Sequence, residues 1–431
     1  MAQAEIEIWG IYVGAVIWDD KKDLAIFEFD KKFINKEIDL APITMPLEQL
    51  KRGDRIYSFP QLNEITFKKL PGMLADSLPD KFGNKLINLW LAQTGRSQND
   101  FTPVERLCYV GKRAMGALEF KKALVKESIS QEEIQLSELV AIANKVMSQK
   151  EALDISFKIG ETKALERIIA VGTSAGGMRP KAVIAVHKKN GKIISGHVQS
   201  NGNYEHWILK FDGVQDEIFG DPRGYGIIEY VYYKMATDAN IEMSQCKLLE
   251  EDSRSHFMTK RFDRKNGKKI HMQTLTGIAH YDFNDIGSTS YEQLFQIMRK
   301  LKLGNDEMEQ MYRRLVFNIV GRNQDDHTKN VSFLLAENES WKLSPAYDMT
   351  YSYNPIKGRN TNKHQMSVNG KRENIDKKDL LKIAQDIDIK KPNEIIDQVK
   401  EAVSQWAVYA KYSGLEKERI KKIEQNLKLD L

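Results

Sequence analysis

Up to about residue 30 the chain runs in short apolar stretches broken by turn residues: Ile6-Glu7-Ile8-Trp9-Gly10, Gly14-Ala15-Val16-Ile17-Trp18 and Leu24-Ala25-Ile26-Phe27-Glu28-Phe29. Val, Ile, Trp and Phe at period two fit a pleated, half-buried surface, so residues 5–70 are expected to form a small, mostly β module. Residues 71–95 read as a turn and a helix. Leu86, Ile87, Leu89, Trp90 and Leu91 follow Pro79-Asp80, and Gly95 supplies a stop. In 130–148, Ile134, Leu136, Leu139, Val140, Ile142 and Val146 recur at helical spacing, which places a boundary near 125–155. Strand signals follow at 181–187 and 207–211, then a helix at 227–239 and a strand at 257–262. After Asp263 the pattern turns helical, at 290–301, 307–321, 379–386 and 392–412. This order predicts an α+β protein of three parts, 1–125, 126–263 and 264–431. It is the two-lobe order of kinase-like folds, shared with many other α+β proteins. No internal repeat is evident.

Composition narrows the class. With 431 residues, two or three domains are expected. An apolar share of 41% is too high for a disordered chain, and two cysteines, Cys108 and Cys246, cannot build a disulfide framework or a zinc site. A reducing compartment follows. The first residues have no basic region, and Glu5 and Glu7 interrupt their apolar run, unlike an export signal. No stretch approaches the roughly 18 apolar residues of a membrane span. A cytoplasmic protein without a membrane partner is expected. Net charge is only +5, but residues 357–378 concentrate Lys357, Arg359, Lys363, Lys371, Arg372, Lys377 and Lys378 against Glu373 and Asp376. Such a segment is either a patch for nucleic acid or an acidic partner, or a solvated polar loop.

The sharpest chemical signal is Gly321-Arg322-Asn323-Gln324-Asp325-Asp326-His327-Thr328-Lys329-Asn330, between an apolar helix and a strand. Asp325 and Asn330 stand in the D-x-x-x-x-N spacing of a protein-kinase catalytic loop, where the aspartate takes the substrate hydroxyl proton and the asparagine ligates magnesium. Phosphoryl transfer asks the protein mainly for an in-line hydroxyl and counter-charge on the phosphates. Asp348, in Ala346-Tyr347-Asp348-Met349-Thr350, follows a strand-like stretch eighteen residues past Asn330, where a second magnesium ligand belongs. The phenylalanine and glycine of the D-F-G triplet are absent. His327 reads as a hydrogen-bonding brace of the loop and Asp326 as a helper or surface residue.

Lys210 interrupts the apolar strand Trp207-Ile208-Leu209-Lys210-Phe211, and a buried amine there needs an anion. Glu229, near the start of the helix at 227–239, is a candidate partner; an edge strand with one solvent-facing lysine is the alternative. The run Gly172-Thr173-Ser174-Ala175-Gly176-Gly177-Met178-Arg179-Pro180-Lys181 contains G-x-S-x-G, the nucleophile elbow of α/β-hydrolases. That elbow needs a helix directly after it, whereas Pro180 and Val183-Ile184-Ala185-Val186 predict a strand. A glycine-rich loop between strands can instead turn its amides onto phosphates, with Arg179 adding charge, or can be a bare hairpin. No Walker A motif occurs.

With these residues in place, the chain resembles the HipA family, the kinase toxins of bacterial type II toxin–antitoxin systems. The resemblance rests on Leu78-Pro79-Asp80, residues 173–181, 207–211, 260–264 and 322–330, and Pro345-Ala346-Tyr347-Asp348. It implies a kinase-like fold with an N-terminal β-rich subdomain and an all-helical C-terminal domain, using ATP and magnesium. On that pattern Asp325 is the catalytic base and Asn330 and Asp348 are the magnesium ligands. ATP is held by Lys210, by the loop residues Ser174, Ala175, Gly176, Gly177, Arg179 and Lys181, and by a hinge at 259–262 with Lys260 and Phe262. Ser174 becomes the inhibitory autophosphorylation site, and a phosphate of about −1.5 to −2 charges there competes with those of ATP. The resemblance further implies a helix-turn-helix antitoxin of the HipB kind as partner, operator DNA reached only through it, and an aminoacyl-tRNA synthetase as substrate, glutamyl-tRNA synthetase being the family default. Two departures stand out: Arg179-Pro180 replaces a Gln-Glu pair, and Lys260 sits where an acidic residue can occur. A small-molecule kinase and a nucleotide-binding corepressor are the competing readings.

Overall fold

The computed structural model describes residues 2–97, 101–122, 133–148, 162–172, 179–197, 202–214, 224–251 and 254–431. The chain forms two compact units. The first comprises 1–226, 247–272 and 336–338, and the second 227–246, 273–335 and 339–431. The first two parts expected from the sequence therefore share one unit, apart from 227–246.

The first unit opens with an antiparallel sheet of order β4-β3-β2-β1-β5, made of β1 (Gln3–Ile8), β2 (Ile11–Asp19), β3 (Leu24–Phe29), β4 (Ile56–Tyr57) and β5 (Leu118–Lys121). Its alternation is that of the sequence: Ala4, Ile6 and Ile8 are buried while their neighbours are not. The β reading of residues 5–70 holds as far as Phe29 and, past that point, only at β4. Beyond Phe29 the chain otherwise makes short helical turns at Lys31–Ile34, Leu47–Arg52, Glu64–Phe67 and Gly72–Ala75. Local capping outweighs β propensity there, as where Asn63 Oδ1 accepts the Ile65 and Thr66 amides at 2.8 and 3.3 Å.

The second sheet, of order β7-β6-β8-β10-β9, comprises β6 (Lys181–His187), β7 (Ile193–Ser195), β8 (Tyr204–Lys210), β9 (Cys246–Glu251) and β10 (Arg254–Lys260). The helices Lys81–Gln93, Leu136–Met147 and Thr162–Gly172 join one face of it in a single apolar core. Leu86, Leu139, Val140, Leu165 and Ile168 meet Ala182, Ile184, Trp207, Leu209 and Met258 there. Because side chains alternate along a strand, Lys181 and Lys210 fall on the other face.

In the second unit the helix Asn305–Val320 is central. Glu307 caps its start by accepting the Gly304 amide at 2.8 Å. Tyr232 packs its ring on Phe317 (5.9 Å between centroids) and Trp406 (5.7 Å), and its hydroxyl donates to Gly321 O. The helix expected over 392–412 is two, Pro392–Ser404 and Trp406–Tyr412. A short sheet in which Ser332–Leu335 lies between His271–Thr274 and Lys342–Leu343 interrupts the otherwise helical unit, Phe333 lying opposite Leu343.

Candidate functional site

The helix Asn305–Val320 ends at Gly321, and Arg322 then adopts a positive φ of 55°, turning the chain into an irregular loop that closes in the short turn Thr328–Asn330. Asn330 Nδ2 donates to Asp325 O at 2.8 Å, so the two residues singled out by their spacing close the loop on each other. Tyr347 OH donates to Lys329 O at 2.7 Å, which ties the segment carrying Asp348 beside Asn330. That segment is also anchored by the Ala346 amide, which donates to Glu242 O at 2.8 Å, and by the parallel bridge of Ala346 to Met243. Asp348 itself has a φ of +52°, a backbone conformation that Asp and Asn adopt more readily than other side chains. Asp325, Asn330 and Asp348 are all partly exposed.

Behind the loop runs a chain of polar groups. The Asp325 amide donates to Ser352 Oγ (2.9 Å), which donates to Asn323 Oδ1 (3.1 Å); Asn323 Nδ2 donates to Asn318 Oδ1 (2.9 Å). Asn318 Nδ2 then donates to the Tyr291 hydroxyl (3.0 Å), which donates to Asp326 Oδ2 (2.8 Å). His364 Nδ1 meets the same Asp326 oxygen at 2.9 Å, and the Gln365 amide donates to Asp326 Oδ1 at 2.7 Å. Asp326 is thus no surface residue. It is 2% exposed and accepts from three sides. Burial raises its carboxyl pKa, but the charge of His364 and the hydrogen bonds from His364, Tyr291 and Gln365 outweigh burial and leave it below the ordinary value. The ring of His327 lies 5.6 Å from that of Phe283, and its Nδ1 has no hydrogen-bond partner among the described residues, so the expected brace is not made by that atom.

Arg314, buried on the same helix, donates through Nη2 to Ser344 O at 2.7 Å. Burial pulls its pKa down to about 10, against the opposing pull of Glu242 and Tyr347. It lines a cavity of about 20 Å³ together with Asn318, Asp326, His327 and Asn330.

The remaining candidates belong to the first unit, except Glu229, which is 3% exposed in the second. Lys210 ends β8 directly opposite Lys181 of β6 and Phe257 of β10, its Nζ 5.6 Å from the Phe257 ring. Like charges directly across an antiparallel pair repel. Arg179 stacks its guanidinium 4.0 Å from the Tyr225 ring. Lys260 pairs with Glu205 at 2.5 Å, and Phe262 is partly buried just beyond β10. Ser174, Ala175, Gly176 and Gly177 lie outside the described residues.

Oxygen donors suit a hard cation such as magnesium. With Nδ2 of Asn330 committed to Asp325 O, the atom left for a ligand is the amide oxygen, and Asp348 offers a carboxylate. No cluster of three His, Cys, Asp or Glu residues that could cage a metal occurs among the described residues.

The sequence could not single out Tyr291, Asn323, Ser352, His364 and Gln365, which meet only in the fold. Asn318 did leave a trace, as the one polar residue in Leu315-Val316-Phe317-Asn318-Ile319-Val320.

The α+β architecture is that of the HipA toxins. The structure superposes on a chain of the Shewanella oneidensis MR-1 complex of HipA, HipB and operator DNA with a TM-score of 0.68 at 16% identity, over 98% of this chain and 95% of that one. Residues 173–407 match the profile of the HipA-like C-terminal domain and residues 4–121 that of the HipA N-terminal domain; the chain belongs to the HipA family. Among curated relatives, the Sinorhizobium fredii protein Y4dM, whose description assigns it provisionally to the kinases, is 22% identical over 232 residues, 51% of this chain. A Haemophilus influenzae protein described in the same terms is 31% identical over 101 residues, 21% of this chain. These matches span 54% and 29% of the relatives' own lengths. No helix among the described residues is long and apolar enough to cross a membrane.

Proposed function

We propose that this chain is the kinase toxin of a toxin–antitoxin pair, transferring the γ-phosphoryl group of ATP to a serine or threonine hydroxyl of a protein. The observation that carries the reading is the closure of Asn330 on Asp325, with Tyr347 holding the Asp348 segment beside them. Asp325, partly exposed and held by its backbone on both sides, accepts the proton of the attacking hydroxyl. Asn330 and Asp348 hold magnesium, which when bound with ATP offsets the charge of its phosphates. Lys210 and Lys181, facing one another across β8 and β6, hold the phosphates, aided by Arg179 and by residues 174–177. Lys260 and Phe262 flank the adenine.

The nature of the relatives and the HipA–HipB–DNA neighbour support a HipB-like helix-turn-helix antitoxin as partner, with operator DNA reached through it. The protein substrate in this reading is an aminoacyl-tRNA synthetase, with glutamyl-tRNA synthetase as the family default, and Ser174 is the autophosphorylation site. The experiment is transfer of label from γ-labelled ATP with magnesium, with and without cell lysate, for the wild type and Asp325→Gln. Label on Ser174 and on one lysate protein, both lost in the variant, is expected. A dephosphorylated wild type that binds ATP and labels nothing would replace the kinase with a nucleotide-binding corepressor.

A further inference from the structure

The seven basic residues of 357–378 are not equivalent in the fold. Lys363 pairs with Glu373 at 2.7 Å and Lys371 with Asp379 at 2.8 Å. Arg372 donates through Nε to His364 O at 2.6 Å, and Lys377 and Lys378 open the helix Lys377–Asp386. Lys357 and Arg359 have no ion pair among the described residues. They lie in a run of six consecutive exposed residues, 355–360, together with Ile356, which is 60% exposed.

This turn stands on the catalytic loop at both ends. At its entry, Ser352 Oγ accepts the amide of Asp325 (2.9 Å) and the Ser352 amide donates to Arg322 O (3.2 Å). At its exit, His364 and Gln365 bind the carboxylate of Asp326. Gln365 Nε2 also donates to Asn360 O (2.6 Å) and to Gln324 O (3.4 Å). The carbonyls beside Arg359 and beside Asp325 are therefore at most about 6 Å apart. Lys357 is five residues from Ser352, a backbone reach of no more than about 18 Å. Any hydroxyl brought to within about 3 Å of the Asp325 carboxylate arrives beside this turn.

We propose that the exposed turn 355–360 docks the acceptor protein, with Lys357 and Arg359 selecting an acidic stretch next to the phosphorylated residue and Ile356 covering an apolar side chain within it. The proposal rests on the kinase reading above. An isoleucine followed by two cations, with no aromatic ring among 355–360 to stack a base, fits an acidic peptide segment better than a nucleic acid.

The test uses the full chain with ATP, magnesium and a serine-centred peptide set in which each flanking position is varied between Glu, Ala and Lys. The wild type is expected to favour Glu over Lys by about tenfold or more in kcat/KM at one or more positions. In the doubly charge-reversed variant, Lys357→Glu with Arg359→Glu, that order reverses, mainly through KM, while Asp325→Gln labels nothing. Thermal unfolding checks that the variant is folded. Labelling without acidic preference, or a preference that survives charge reversal, overturns the docking role and leaves the kinase standing. A wild type that labels no peptide overturns both. If the double variant instead loses binding of a fluorescent DNA duplex and keeps its peptide preference, the turn is a nucleic-acid contact and the proposal fails.

Discussion

Replacing Asp326 tests whether the candidate site is held by the polar chain behind it. Asp326→Ala removes an acceptor that is 2% exposed and leaves the Tyr291 hydroxyl, His364 Nδ1 and the Gln365 amide without their partner at 2.8, 2.9 and 2.7 Å. Breaking a buried, hydrogen-bonded charge pair by removing one member costs about 3–5 kcal/mol. Asp326→Asn keeps one oxygen for the Gln365 amide but turns a donor towards His364 and Tyr291, for about 1–3 kcal/mol. The assay is hydrogen exchange of the amides at 323–331 and 364–367, followed by mass spectrometry. At about 1.4 kcal/mol per factor of ten, the alanine variant should lose roughly two to three and a half orders of magnitude of protection there, and the asparagine variant about one to two. Phosphoryl transfer should fall with it, because Asp325 is positioned through the same chain. The sign in pH follows from the carboxyl being held below its ordinary value of 3.8. Its contribution is complete above that value and is lost as pH falls through the lower folded one, so the network should survive mild acid. Unchanged protection in the alanine variant would refute the anchoring argument, and unchanged transfer would sever the network from function.

Other consequences are simpler to check. Ser352→Ala removes the acceptor of the Asp325 amide and should cost about 1 kcal/mol in urea unfolding, with a fall in kcat larger than any rise in KM for ATP. Asp263 is fully buried between Arg261 (2.7 Å) and Arg264 (2.8 Å) and accepts the Gly116 amide at 2.8 Å. Asp263→Ala, which removes the carboxylate partner of the buried Arg261 and of the partly buried Arg264, should destabilise by about 3–5 kcal/mol in thermal unfolding. In Gly226→Ala the new Cβ would lie 2.2 Å from Ser255 O, a clash that only a backbone shift relieves; soluble yield and melting temperature should both drop. Cys108 and Cys246 are 3% and 5% exposed, and burial pushes the Cys108 thiol up to about 11. Neither should react with a thiol reagent at pH 8 until urea is added, and fast labelling of Cys108 in the native protein would contradict its burial.

Much of this fold is legible in the chain because its elements are locally consistent. The strand expected at 181–187 is Lys181–His187, and the helix at 307–321 is Asn305–Val320. Apolar period and caps point the same way in both, so little tertiary information is needed. The region after Phe29 misleads, since Ile65 and Phe67 look strand-forming yet lie in the helical turn Glu64–Phe67, and only Ile56-Tyr57 pairs as a strand while proline and asparagine break the rest into turns. The break at Gln405 within 392–412 has no glycine or proline to announce it. Spacing alone marks Asp325, Asn330 and Asp348, which lie within 24 positions of one another. Asp326 shows the limit: its partners come from residues 35 to 39 positions away on two different segments, and nothing local separates it from an exposed acid.

The division of the chain between its units also sets a clock on synthesis. The helix Tyr225–Asp238 carries Ile228, Val231, Tyr232, Met235 and Ala236, all buried in the finished protein. Among the described residues, the ring partners of Tyr232 are Phe317 and Trp406, the latter leaving the ribosome 174 residues after it. At roughly 5–20 residues per second, that interval is about 9–35 s. During it an apolar helix must be shielded by something other than its native neighbours. A chain cut short before Trp406 would carry Asp325, Asn330 and Asp348 without the packing that seats the helix beneath them, and would be a client for chaperones and proteases. A messenger broken upstream of that point therefore yields clearance in place of a half-folded protein.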